Sequence, residues 1–352
     1  MVAMTVREHV PLAEHCTLGV GGPARFFVEA PDEATVLRAL EWASARRLPL
    51  LALGGGSNLV IADGGVEACV VKLGLRGVTT RDVAGAVEVT AAAGEPWDQL
   101  VALAVARGWA GLECLSGIPG LVGATPIQNV GAYGQEVSET LVAVRALDTT
   151  AGRIVGFAAG ECGFAYRDSR FKRDEPGRYV ILSVTYRLAP GAAPCVRYAE
   201  VERHVASRGV RAPSLEQVRA SVLAIRRSKS MVIESGDENR RSCGSFFTNA
   251  VVDAADAERV ARIAGEADMP RWPQSDGRVK LSSAWLIERA GFRRGQREGP
   301  VGLSTRHALA VVAHDGARAA DVATFARRVA AAVATRFGVR LTPEPVYWGF
   351  DA

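Results

Sequence analysis

The strongest periodic signal lies near the C-terminal end, where Val322, Phe325, Val329, Val333 and Phe337 recur at spacings of three and four residues. That is the repeat of one helix face, and it predicts a helix over 317–337 with Gly338 just past its end. Arg327, Arg328 and Arg336 fall in its C-terminal half, where positive charge suits the helix dipole. Other helical stretches cover 33–47, 97–107 (closed by Gly108), 253–267 and 283–290 (stopped by Gly291). Ser214 and Gln217 form a capping-box pattern ahead of a further helix that runs to about Ser228. Short apolar or alternating runs predict strands at 48–53, 68–73, 87–92 and 178–188. Residues 142–148 and 153–157, joined by 149–152, predict a hairpin.

These elements group into three stretches. Residues 17–73 alternate strand, helix and strand, which suggests an α/β unit. The stretch 74–213 is richer in strands and closes after Ala189-Pro-Gly-Ala-Ala-Pro194; helices dominate from Ser214 onward. The expected organisation is therefore 1–73, 74–213 and 214–352. The length of 352 residues fits two or three domains, and 48% hydrophobic residues supply an ample core.

Charge narrows the partners. The 42 Lys and Arg against 38 Asp and Glu leave a net charge of +4, too balanced to imply nucleic acid or a membrane surface. A local basic pocket for an anionic ligand remains compatible with it. No apolar run has the length of a membrane span, and the first residues lack a secretory apolar stretch. The six cysteines (Cys16, Cys69, Cys114, Cys162, Cys195 and Cys243) include no C-x-x-C pair. Their spacing argues against a zinc site or a disulfide framework, and thiols in a reducing cytoplasm are expected.

Five segments carry candidate chemistry. Gly54-Gly55-Gly56-Ser57-Asn58 follows a strand, and its backbone N–H groups could line a phosphate-binding concavity; a plain turn explains it too. It matches neither the dinucleotide fingerprint nor a Walker A loop. The stretch from Ser116 to Gly134 spends five glycines and two prolines without a charged surface. That composition suits close approach of a flat ligand to the backbone, or an Ω-loop packed on the core. Arg167, in Tyr166-Arg-Asp-Ser169, could clamp a carboxylate or stabilise an enolate; pairing with Asp168 at the surface is the alternative. Ser245, in Cys243-Gly-Ser-Phe-Phe-Thr-Asn249, could donate a proton beside an apolar wall, or simply occupy a turn. Glu344, between Pro343 and Pro345, is either a rigidly held carboxylate or a solvated edge-strand residue. His307 could line the cleft, although a lone His near a strand is more often a structural hydrogen-bonder.

In this order and together, the segments resemble the UDP-N-acetylenolpyruvoylglucosamine reductase family, over nearly the whole chain from Gly21 to Glu344. The resemblance implies an α+β fold: an FAD-binding fold of the vanillyl-alcohol-oxidase type in two subdomains, plus a C-terminal α+β domain for the substrate. It implies an NADPH-dependent flavoenzyme that reduces an enolpyruvyl ether of UDP-N-acetylglucosamine to UDP-N-acetylmuramate for peptidoglycan synthesis. A cytoplasmic monomer with FAD as cofactor, NADPH as co-substrate and no metal is expected. By position, Arg167, Ser245 and Glu344 match the family's catalytic residues. Gly54, Gly55, Gly56, Ser57, Asn58, Ser116, Gly117, Ile118, Gly123, Ala124 and Arg226 match flavin contacts. Tyr166, Tyr198, Lys229 and Asn249 match substrate contacts, and Tyr198 suggests the branch whose tyrosine loop covers the UDP diphosphate. Cys243, Thr125 and Ala250 depart from the Ala, Ala and Pro usual at their positions, and the stretch 230–242 is longer than in some members.

Overall fold

The computed structural model describes residues 4–266 and 268–350. The chain forms two compact units. The first holds Ala24–Gly55 and Glu67–Val232 together with the N-terminal residues up to Val10; the second holds Pro11–Pro23, Gly56–Val66 and the chain from Ile233 onward. The division passes through the glycine run, between Gly55 and Gly56.

In the first unit, a four-stranded sheet has the order Arg7–Pro11, Pro23–Ala30, Val66–Leu73, Leu50–Leu53. The last two run parallel, with Leu50 opposite Cys69. Parallel neighbours need a crossover connection. Helix α1 (Glu33–Ala45) follows the second strand and begins where the Asp32 carboxylate accepts the Thr35 N–H at 2.7 Å. It buries Val36, Ala39, Leu40 and Ala43 in the core.

A larger antiparallel sheet has the order Arg153–Ala158, Leu141–Asp148, Tyr179–Pro190, Ala86–Ala92, Val78–Val83. Along its central strand Leu182, Val184, Tyr186 and Leu188 are buried while Thr185 and Arg187 point the other way, the alternation of a sheet with one covered face. Helix α2 (Trp97–Ala106) adds Trp97, Leu100, Val101 and Ala104 to the same core. The central strand outruns its expected end at Leu188, because Ala189 and Pro190 pair with Ala110 and Trp109. Proline is tolerated there at a strand terminus.

A one-turn helix, α3 (Arg170–Arg173), and then α4 (Ala199–Ser207) and α5 (Leu215–Ser228) complete this unit. The capping box starts α5 as expected: the Gln217 N–H donates to Ser214 Oγ at 3.3 Å, and the Ser214 N–H donates to Gln217 Oε1 at 2.9 Å. Helix α5 packs within the first unit. Val218, Val222 and Ile225 close a small core with Cys114, Val201 and Val205.

The second unit is organised on α6 (Ala254–Ala264), α7 (Ser283–Arg289) and α8 (Ala319–Phe337). Helix α6 stops at Gly265, φ +71°, before the expected end at Ala267, which lies outside the described residues. All five residues of the predicted face of α8 are buried, in a core shared with Phe246, Phe247 and Leu286. Gly338 closes α8 at φ +67°. The Asp63 carboxylate accepts the Ala319 and Ala320 N–H groups at 2.8 and 3.1 Å, anchoring the other end. Strands here are two or three residues long, in two three-stranded sheets and one parallel pair, Leu59–Ile61 with Val346–Trp348. The architecture is α+β, as the family resemblance implies.

Candidate active site

The glycine run leaves the strand Leu50–Leu53 as expected. A Cβ on Gly55 would lie 3.0 Å from the Cα of Gly120, so the Gly/Pro segment approaches the glycine run closely within the first unit. Gly56 opens the second unit at φ +63°, and a Cβ there would collide with the His15 carbonyl oxygen. Both positions therefore need glycine for a stated reason. Asn58, expected on the flavin, donates its amide to the Glu344 carbonyl at 3.2 Å, while the Val346 N–H donates to the Asn58 carbonyl at 3.0 Å.

The Gly/Pro segment is held from behind by side chains. The Gly117 N–H donates to Asp98 Oδ1 at 2.6 Å, and the same carboxylate takes both arms of Arg219 at 2.6 and 2.8 Å. Burial opposes ionisation of Asp98, but Arg219 and the Gly117 N–H overcome it and hold the carboxyl below its ordinary range. Ser116 is buried and its hydroxyl donates to the Glu113 carbonyl at 2.6 Å; the Gly123 N–H donates to Ala93 at 2.9 Å. These groups fix the shape of the loop, whereas Ala124 is exposed and Ile118 half-buried, offering accessible surface. Thr125, where Ala is usual, donates to or accepts from the Tyr186 hydroxyl at 2.6 Å and so serves the core. Asn129, buried with φ +44°, bonds Glu136, the Ala165 carbonyl and the Ser138 N–H. The segment thus combines a packed Ω-loop with a thin accessible face.

Arg226 stands against this segment. A Cβ on Gly117 would lie 2.7 Å from Leu223 and 3.4 Å from the Arg226 Cδ. One guanidinium arm donates to the Met231 carbonyl at 2.7 Å, but the buried Nε has no hydrogen-bond partner among the described residues. Burial pulls the Arg226 pKa below its usual value. A buried guanidinium with an unsatisfied N–H suits an anionic group brought by a ligand.

Three of the expected substrate residues gather in the first unit with two that the sequence did not single out. Tyr133 and Tyr198 meet edge to face at 5.5 Å, and the Lys229 ammonium lies 5.9 Å from the Tyr133 ring centre. Tyr166 is an electrostatic neighbour of Tyr198. Glu200 accepts from Lys229 Nζ at 2.6 Å. Burial pushes the Tyr133 hydroxyl up to about 12, against the pull of Arg226, and raises that of Tyr198 as well. Tyr133 sits at φ +50°, a conformation uncommon outside glycine. Tyr133 lay inside the quoted Gly/Pro segment; its only signal was an aromatic ring in a run of small residues. Glu200 had none, because a lone Glu in the first turn of a helix is ordinary.

Arg167 is not paired with Asp168. Its guanidinium donates to the Gly131 carbonyl, an approach that a side chain at 131 would obstruct, since a Cβ there would stand 2.9 Å from Nη1. Asp168 instead pairs with Arg173 at 2.7 Å, and Lys172 donates to the Arg167 carbonyl at 3.0 Å. The backbone of Arg167 is left-handed, φ +55°, a strain that clusters at functional positions.

Ser245 and Glu344 both belong to the second unit, and backbone pairing brings them together. The Glu344 N–H donates to the Phe246 carbonyl at 2.9 Å, the Thr248 N–H donates to the Thr342 carbonyl at 3.1 Å, and Phe247 pairs antiparallel with Pro343. On the other side the Phe246 N–H donates to the Leu309 carbonyl at 2.7 Å. Phe246 and Phe247 are buried, so Ser245 sits half-exposed at the lip of an apolar wall, diagonal to Glu344. Asn249 accepts the Ser283 N–H at 3.1 Å and so helps to start α7. Cys243 is buried with its thiol donating to the Leu59 carbonyl at 3.3 Å, and burial pushes its pKa up. His307 accepts the Leu309 N–H at 3.0 Å, as a structural histidine would.

These features suit a dinucleotide cofactor. Residues 24–157 match the model of an FAD binding domain, and the buried Arg226 beside the Gly/Pro segment suits the anionic part of FAD. The fold and these residues define a flavoprotein that binds FAD. Residues 236–348 match the model of the UDP-N-acetylenolpyruvoylglucosamine reductase C-terminal domain. Relatives of that name are 46% identical in Thermobifida fusca (97% of this chain, 98% of that protein) and 48% identical in Nocardia farcinica (98% and 90%). The crystal structure of UDP-N-acetylenolpyruvylglucosamine reductase from Thermus caldophilus is 26% identical with a TM-score of 0.66, covering 98% of this chain and all of that one. This chain belongs to the UDP-N-acetylenolpyruvoylglucosamine reductase family, and with it to the enzymes of peptidoglycan synthesis. No helix among the described residues is long and apolar enough to cross a membrane.

Proposed function

We propose that this chain catalyses the NADPH-dependent reduction of UDP-N-acetyl-3-O-(1-carboxyvinyl)-glucosamine to UDP-N-acetylmuramate, in the cytoplasm. Within this reading, 1–73 and 74–213 serve as FAD-binding subdomains and 214–352 serves the substrate. FAD, which Gly54, Gly55, Gly56, Ser57 and Asn58, the Ser116 to Ala124 segment and Arg226 would hold, would supply the hydride chemistry at the enol-ether double bond, with NADPH as the source of reducing equivalents. Negative charge then develops on the carbon beside the carboxylate and spreads onto its oxygens. Arg167 is assigned that charge, because a planar guanidinium matches a carboxylate-like enolate and Gly131 already orients it. Ser245 gives its proton to the α-carbon. A hydroxyl is a weak acid, so it succeeds only against a strongly basic enolate at close range. Glu344 assists as a second stabiliser, either protonated or through a bridging contact. Lys229, Tyr198, Tyr166 and Asn249 are assigned to the UDP-sugar.

The observation that carries this reading is the backbone pairing that sets Glu344 opposite Phe246, the residue next to Ser245, at the edge of a buried phenylalanine pair. The test is anaerobic turnover of the purified protein. NADPH oxidation should require the enolpyruvyl nucleotide and yield UDP-N-acetylmuramate. NADPH consumption without that nucleotide, or reduced flavin indifferent to it, would refute the assignment.

A further inference from the structure

Glu200 holds the group that the proposed function needs free. It lies in the first turn of α4, two residues beyond Tyr198, and its carboxylate sits 2.6 Å from Lys229 Nζ with both side chains about one-third exposed or less (33% and 28%). Lys229 is the capping residue at the C-terminus of α5, and Tyr133 lies beneath its ammonium. An ion pair this accessible is worth little on its own, so a ligand bearing several negative charges can displace the carboxylate. The displaced carboxylate then stays close to the ligand and repels it.

We infer that Glu200 is a resident competitor for Lys229, a positioning residue that keeps the hold on a nucleotide diphosphate loose enough for release. The inference rests on the reading of Lys229 as a phosphate-binding residue. It adds a function for the carboxylate: two anionic ligands, NADPH and the enolpyruvyl nucleotide, must each bind and leave in every cycle. A lysine without a competitor would hold both longer, and release steps often limit turnover. Arg203, on the same helix, and Arg226 leave the surroundings cationic, so loss of Glu200 exposes an anion site and does not leave a gap in a balanced network.

The experiment measures the affinity of the flavin-loaded enzyme for uridine 5′-diphosphate in the parent, Glu200→Gln, Lys229→Met and the double variant, with steady-state kinetics on each. Glu200→Gln should tighten the diphosphate about three- to tenfold and lower KM and kcat together. In the Lys229→Met background the same substitution should have little effect. Glu200→Asp, which retains charge but shortens the reach, should fall between parent and Gln. Unchanged or weaker binding in Glu200→Gln, with Lys229→Met weakened as expected, would overturn the competitor role alone and make the pair a structural tie for α4. Unchanged binding in Lys229→Met would overturn the Lys229 assignment and the competitor role with it.

Discussion

In the first unit, Gly117, Arg167 and Lys229 are each held by a group from a distant part of the sequence: the Asp98 carboxylate, the Gly131 carbonyl and the Glu200 carboxylate. In the second unit, Ser245 and Glu344 are held by their own backbones, in a short antiparallel pairing over Phe246 and Phe247. The first arrangement depends on side-chain contacts; the second sets its two residues in place by main-chain pairing. Substitutions in the first region should therefore disturb the loop and its supports as well as the chemistry, whereas Ser245→Ala in the second should act on chemistry with the main-chain pairing kept.

The largest effect expected in the first region comes from Gly117→Val. The position combines φ +73° with a Cβ that would meet Leu223 at 2.7 Å, so the loop must move. The variant should purify without flavin, read as loss of visible absorbance, whereas full flavin content would show that the loop is not part of the cradle. A bulky residue at Gly55, 3.0 Å from Gly120, should do the same.

Arg167→Ala comes next. It should slow reduction of the enolpyruvyl nucleotide by about 10²- to 10³-fold while flavin reduction by NADPH continues, and Arg167→Lys should recover little of the loss. Rapid-mixing traces of the two half-reactions check this, and equal slowing of both would move Arg167 from chemistry to general support of the fold.

Asp98→Ala should destabilise the protein by about 2 kcal/mol, because it leaves the Gly117 N–H and the Arg219 guanidinium without their partner. A urea midpoint measurement decides it. The smallest effect is on acid stability. The Asp98 carboxyl is held below its ordinary range in the folded protein, so its contribution is full above the unfolded carboxylate range, about pH 4, and is lost as pH falls through the lowered folded value. Flavin retention should hold through mildly acidic pH and fail below it, and Asp98→Asn should flatten that acid limb.

The same contrast explains what was legible in the sequence. Helix α8 announced itself because five large apolar residues share one face over nineteen residues. The capping box of α5 was visible because both partners lie within four residues of each other. Ser245 and Glu344 stood out because Gly-Ser-Phe-Phe and Pro-Glu-Pro are unusual locally. Helix α4 escaped notice, since Val201 and Val205 stand at helical spacing but two buried apolar residues in nine are too few to mark a face by themselves. Asp98, Asn129 and Glu200 carry no local signal, because each acts on backbone or charge brought near by the fold. The packing of α5 was hidden for the same reason: its apolar face matches a surface completed by Cys114 and α4, which no local pattern reveals.

The most direct test of the central claim is a pair of anaerobic stopped-flow measurements on Ser245→Ala, which should retain FAD and the stability of the parent. Reduction of its flavin by NADPH should proceed near the parent rate, while reoxidation by the enolpyruvyl nucleotide should slow by orders of magnitude. Equal slowing of both steps, or reoxidation at the parent rate, would contradict the assignment of Ser245 as the proton donor.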